Sequence, residues 1–302
     1  LALVTSACSP QVKQPLNNIK ISEIQGCSHE SPYVGQKVYG VEGVVTHKFS
    51  NGFTMQSIDN DSQDCSSEAL FVMTGEYPSV YPGQFVAVDG VVNEYSAGDK
   101  NDHNLSRTEL DNPKIKIIKE KASFPNPITL GKMGTVPMNF IKQSNEFDIH
   151  ENGLDYYESL EFMLVEISRG IVVGPKNTYN EFFVLPDEYI KENNISELGA
   201  LNESQLDQNP EKIMIDTASS FTQKVNVGDH FEKPIVGILD YSFGNYKIWT
   251  ISSPVIDSHK TLKVPLLEIE GKALSVASYN VENLSRFDDQ SRIKKIGCQI
   301  VE

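Results

Sequence analysis

A chain of 302 residues with 39% hydrophobic content can bury more than one core, so two or three domains are expected. Its 26 basic residues against 41 acidic ones leave a formal charge of −15, which repels phosphate at long range, gives no basic footprint for nucleic acid and speaks against tight, metal-free binding of DNA. Catalysis on DNA is not excluded, because a divalent ion can bridge acidic protein to phosphate.

In chain order, Leu1-Ala-Leu-Val-Thr-Ser-Ala-Cys8 reads as the end of a signal peptide's apolar region, with small residues leading into Cys8. It looks like a bacterial lipobox in which Cys8 becomes the acylated N-terminus; the other reading is a cut signal segment with an incidental Cys. Beyond residue 8 no stretch approaches the ~18 apolar residues of a spanning helix, so membrane attachment would be through lipid alone. The chain is then exported, as an outer-membrane or cell-surface lipoprotein or a secreted protein, and disulfides become admissible. Of the remaining cysteines, Cys27 and Cys65 share the first expected domain, and a bridge there is favoured over two separate thiols. It would close a loop of about forty residues and contribute roughly 3–4 kcal/mol. Cys298 is expected to stay free as a small core residue.

Two copies of one strand pattern follow. In the first, Tyr33 to Val45 alternates apolar and polar positions, Asn51-Gly52 turns the chain into Phe53-Thr-Met-Gln-Ser, and Ala69 to Met73, Val80 to Tyr95 and Thr108 to Ile118 complete five strands. The second runs through Tyr157 to Ile167, Gly170 to Pro175, Glu181 to Leu185 and Val225 to Tyr241. Long strands with Gly at the bends suit a small closed barrel of the oligonucleotide/oligosaccharide-binding (OB) type. The expected organisation is mainly β: a signal remnant and tether over 1–18, a first OB-like barrel over 19–122, a linker over 123–156, a second barrel over 157–258, and a further segment from 259. Asp187 to Glu211 reads as a polar surface insertion.

The last segment, Lys272-Ala-Leu-Ser-Val-Ala-Ser-Tyr-Asn280-Val-Glu282-Asn283-Leu284, is an apolar strand ending in Asn, with a helix start from Ser291. It resembles the opening strand of the endonuclease/exonuclease/phosphatase superfamily. With Ser31-Pro-Tyr-Val-Gly-Gln36, Tyr156-Tyr-Glu-Ser-Leu-Glu161 and Gly237-Ile-Leu-Asp-Tyr-Ser-Phe-Gly244, the chain is similar over nearly all of 19–302 to exported bacterial extracellular nucleases, in which tandem barrels precede such a domain. The resemblance implies a divalent-metal-dependent phosphodiesterase acting on extracellular nucleic acid, with DNA the expected polymer and Mg²⁺, Mn²⁺ or Ca²⁺ the cofactor. It places Asn280 beside the phosphate and metal, with Glu282 and Asn283 as neighbours. It also implies that only the first strand and helix of the α/β domain are present, that the main metal carboxylate falls after Glu302, and that this fragment alone is inactive. An Asn amide suits the position because it can hydrogen-bond a phosphate oxygen or a metal-ligating carboxylate without adding negative charge.

Two weaker constellations remain. Asp59, Asp61 and Asp64 are spaced as in calcium loops but lack the Gly and distal Glu, so a solvated hairpin loop is the better reading. Tyr241, Phe243, Tyr246 and Trp249 could form a stacking surface for single strands, although alternation favours packing in a core or hairpin. Two other functions stay open: a non-catalytic surface binding module, and a phosphatase or phospholipase of the same superfamily.

Overall fold

Alternating side chains build the first sheet. The computed structural model describes residues 16–58, 64–99, 101–131, 146–190, 194–196, 199–202, 209–258 and 289–294. Its first elements are β1 (Leu16–Asn17), α1 (Ile21–Gln25), β2 (Lys37–Lys48), β3 (Gly52–Gln56), β4 (Ala69–Met73), β5 (Phe85–Tyr95) and β6 (Arg107–Lys119). On β5 Val86, Val88, Gly90 and Val92 are buried and the residues alternating with them are only partly so, the period of a half-buried strand. β2 serves two partners, pairing with β5 over 37–44 and with β3 over 44–48. It bulges at Gly40, whose φ of 65° is a conformation that side-chain-bearing residues rarely adopt. The strand order is β1-β2-β3-β4-β6-β5, and β5 pairs back onto β2.

The second sheet repeats this scheme. Its elements are β7 (Ile128–Thr129), α2 (Gly153–Glu158), β8 (Leu164–Ile167), β9 (Gly170–Gly174), β10 (Glu181–Pro186), a 3₁₀ turn at Asp187–Tyr189, β11 (Ile213–Asp216), β12 (His230–Phe231), β13 (Ile235–Ser242) and β14 (Asn245–Thr250). Their order is β12-β9-β10-β11-β14-β13-β8-β7. Only Ser168 and Arg169 separate β8 from β9, and the two stand where the halves of β2 stand: β8 pairs with β13, β9 with β10. In each sheet the parallel pairing of β4 with β6 or of β11 with β14 completes the order, beside a short parallel pair, β1 with β2 or β7 with β8. The protein is therefore mainly β, with two mixed sheets.

Several segments differ from the sequence expectation. The run from Tyr157 to Ile167 is a strand only from Leu164, because Asn152 caps α2 by accepting the Leu154 N–H on its Oδ1 at 3.1 Å and the chain turns before extending. The run from Val225 to Tyr241 divides into β12 and β13 at Pro234, which has no N–H to donate to a ladder. Val80 to Gln84 forms a turn ahead of β5.

The two sheets share a buried junction. Ala69 and Phe71 of β4 lie in the core cluster of the second sheet, while Val38, Phe53, Val86 and Leu110 belong to a separate one. Glu161 is buried here and its Oε2 accepts the Thr108 N–H and the Gln25 Nε2–H, each at 3.1 Å. Gln56 Oε1 accepts the Leu164 N–H at 2.9 Å, and Tyr246 donates its hydroxyl to Glu158 at 2.6 Å. Cys27 and Cys65 are disulfide-bonded, with Cα atoms 5.2 Å apart. Residues 262–302 form a separate unit, described only at 289–294, where Ile293 N–H donates to the Asp289 carbonyl at 3.1 Å in a helical turn.

Buried carboxyls at the junction set a pH dependence. Burial pushes Glu109 up to about 7 in spite of Arg107 beside it, and burial with the Glu158 charge holds Glu161 well above the usual range. A folded-state value raised above the unfolded one means that the folded protein binds more protons, so this stability is complete below the unfolded value and is lost as pH rises through the folded one. Urea unfolding should therefore show stability falling between about pH 4.5 and pH 7, by on the order of 1–3 kcal/mol for Glu109. Glu109→Gln should flatten that slope; an unchanged slope would remove Glu109 as its source.

Candidate nucleic-acid interface

Three-residue spacing divides the aromatic cluster of the second hairpin. Tyr241 and Tyr246 are cross-strand partners on β13 and β14, both buried, their rings 4.9 Å apart. Tyr241 accepts the Leu105 N–H on its hydroxyl at 3.2 Å, so this pair belongs to the junction. Trp249 lies three positions beyond Tyr246 and so projects from the other face of β14, with Lys247 and Asn245.

Phe243 and Gly244 are the two central residues of the β13–β14 turn, with φ of 50° and 80°. Positive φ at both positions is the geometry that matches strand twist, and it ordinarily selects Asn-Gly. A Phe in this conformation costs about 1–2 kcal/mol, yet its ring is 69% exposed and gains no compensating burial. Phe243 thus presents an exposed aromatic ring from a strained turn.

These side chains border a cavity of about 820 Å³. Its walls are the β9–β10 loop, which contributes Tyr179 and Asn180, the outer faces of β10, β11 and β14, and the Phe243 turn. Lys247 crosses its floor, with Nζ 3.0 Å from Glu181 Oε1 and 2.9 Å from Asp216 Oδ2. Burial alone would lower the Lys247 pKa, but the hydrogen bonds and negative charges of Asp216 and Glu181 together outweigh it and raise the pKa. Burial raises Asp216 beyond what Lys247 offsets, whereas hydrogen bonds from Asn177 and Lys247 overcome burial and lower Glu181. With one cation between two carboxylates, the floor offers no net positive charge. The cavity therefore favours an uncharged ring, held by stacking and by amide and hydroxyl groups, over a phosphate.

The other expected site residues are not brought to this cavity. Asn280, Glu282, Asn283, Cys8, Cys298, Asp59 and Asp61 lie outside the described residues, while Asp64 falls in the β3–β4 connection. Among the described residues no group of three or more His, Cys, Asp or Glu side chains is placed to hold a metal ion. Two contributors went unrecognised in the sequence. Tyr179 stands in a polar loop that reads as an ordinary turn, and the partners of Lys247 are 66 and 31 residues away.

A family model described as a domain of unknown function (DUF8508) matches residues 117–260. That stretch contains β7 to β14 and hence the whole cavity. No curated protein matches the chain. Among solved structures, the crystal structure of fission yeast Pot1 and ssDNA is similar at 11% identity, over 72% of this chain and 80% of that one, with a TM-score of 0.23.

Proposed function

We propose that this chain is the substrate-positioning region of an exported nuclease, built on two OB-like barrels, and that the second barrel holds unpaired bases of DNA in the Tyr179–Phe243–Trp249 cavity. The barrel reading is supported by the common strand order of the two sheets and by a first strand in each that bends to meet partners on both sides. The observation that carries the binding reading is the position of the cavity. OB folds take oligonucleotides on their second and third strands and on the loops joining strands one to two and four to five. In this sheet those are β10, β11, the β9–β10 loop and the β13–β14 turn, and all four line the cavity. Base stacking needs no positive potential, which reconciles the site with a charge of −15. The nuclease assignment, with its dependence on Mg²⁺, Mn²⁺ or Ca²⁺ and its use of Asn280, rests on the sequence from Lys272 to Leu284.

Trp249 is the only tryptophan of the chain, so its fluorescence reports on the cavity directly. Titration with oligothymidylate should quench it, and a duplex of equal length should quench it far less. Phe243→Ala should weaken single-strand binding about 10-fold, in line with roughly 1–3 kcal/mol per stacked base. Quenching by neutral oligosaccharides but not by oligonucleotides would reassign the cavity to carbohydrate and overturn the proposal.

A further inference from the structure

The aromatic surface does not stop at the second sheet. Trp249 also lines a separate cavity of about 350 Å³ at the junction, together with His47, Phe49, Phe71 and Arg107. The Phe49 ring meets Trp249 edge-on at 5.6 Å, and His47 meets Phe49 at 4.8 Å. Beside them Lys48 carries its Nζ 4.2 Å above the Tyr77 ring and 4.4 Å above the Tyr81 ring, both largely exposed. Three cationic side chains border the two cavities. Lys247 is held by Glu181 and Asp216, and Arg107 by Glu109 and Asp240; Lys48 alone has no carboxylate within ion-pair distance among the described residues. Burial lowers the His47 pKa, so it adds no lasting charge.

We propose that a single strand seated in the second-sheet cavity continues past Trp249 and Phe49 onto the first sheet, where Lys48, framed by Tyr77 and Tyr81, takes a backbone phosphate. The proposal rests on the function proposed above and extends it from a base pocket to a two-sheet track. The division of labour follows from charge. The cavity floor, with a cation already matched by two carboxylates, accepts a neutral base and repels a phosphate. The unmatched ammonium is where phosphate neutralisation lowers the energy of a polyanion on an acidic protein. Tyrosine rings below the ammonium hold it in place and present faces for a further base. Binding should therefore depend on strand length, because a short oligonucleotide can fill the cavity without reaching Lys48.

The test uses the full chain and oligothymidylates of about four and about sixteen nucleotides, the range of site sizes for one such fold. The longer strand should bind more tightly. Lys48→Gln should reduce its affinity about 5- to 10-fold and lower the slope of log K against log salt by roughly 0.7, the contribution of one phosphate contact on a single strand. The same variant should leave the shorter strand's affinity and its quenching of Trp249 unchanged, and Lys48→Arg should restore the salt slope. Tyr77→Ala should weaken the longer strand without changing the slope. Equal losses at both lengths, or no loss with Lys48→Gln, would overturn the track while leaving the cavity reading intact. If neither strand alters Trp249 fluorescence, both fall together.

Discussion

Arg107→Met should destabilise the protein by about 3–5 kcal/mol at pH 8, the largest effect expected of any single substitution at the junction. Arg107 leaves β6 of the first sheet and reaches β13 of the second, placing Nε 2.9 Å from Glu109 Oε1 and Nη1 3.0 Å from Asp240 Oδ1. Both carboxylates are almost wholly buried. The guanidinium carbon also lies 5.2 Å from the Phe71 ring centre, 5.7 Å from that of Phe162 and 5.0 Å from that of Tyr95. Its removal strands two like charges out of water and takes away a planar group that three rings enclose. Burial already pushes both acids upward, Glu109 to about 7. At pH 5 the variant can therefore take up protons, and the loss should shrink to a fraction of its value at pH 8. Urea unfolding at the two pH values decides the matter. A loss below about 1 kcal/mol, or one independent of pH, would mean that the bridge is solvated and does not tie the sheets together. Adding Glu109→Gln and Asp240→Asn to Arg107→Met should recover much of the stability, since neutral partners remove the stranded charge.

Reduction of the Cys27–Cys65 bond is expected to lower stability by about 4 kcal/mol, the loop-closure entropy restored to the unfolded chain by releasing a loop of this length. The sequence separation is 38. The structural consequence should extend beyond the first sheet. Cys27 follows α1, whose Gln25 donates from Nε2 to the Ala69 carbonyl at 2.7 Å and to Glu161 at 3.1 Å. A freed α1 would relax its hold on Glu161, a carboxyl that needs these partners because it is buried. Cys27→Ser with Cys65→Ser should reproduce the effect of reductant, which separates the bond itself from any effect of the reagent. Equal thermal midpoints with and without reductant would show that the bond closes a loop already constrained in the unfolded state.

The amino-acid sequence by itself determined the mainly β character, the long strands of the first sheet and the pairing of cysteines. Each follows from local information: apolar side chains alternate along β5, Asn51-Gly52 turns β2 into β3, and two cysteines share one domain. It also singled out the four aromatic residues of the β13–β14 hairpin as a group. Which of them pack together and which border the cavity was decided only in three dimensions. Tyr241 and Tyr246 are locked as buried cross-strand partners, and the three-residue step from Tyr246 to Trp249 turns the indole to the other face of β14. Where α2 begins and where β12 breaks from β13 depended on a cap at Asn152 and on Pro234, local signals outweighed in the sequence by the apolar runs around them. The charge logic of the site lay furthest from view. Lys247 and Arg107 are matched by carboxylates up to 133 residues away, and Lys48 is left unmatched among the described residues. Those partnerships arise from the parallel pairing of β11 with β14 and from the packing of one sheet on the other. Long-range register of this kind brings side chains together through backbone pairing, and no spacing within either segment encodes it.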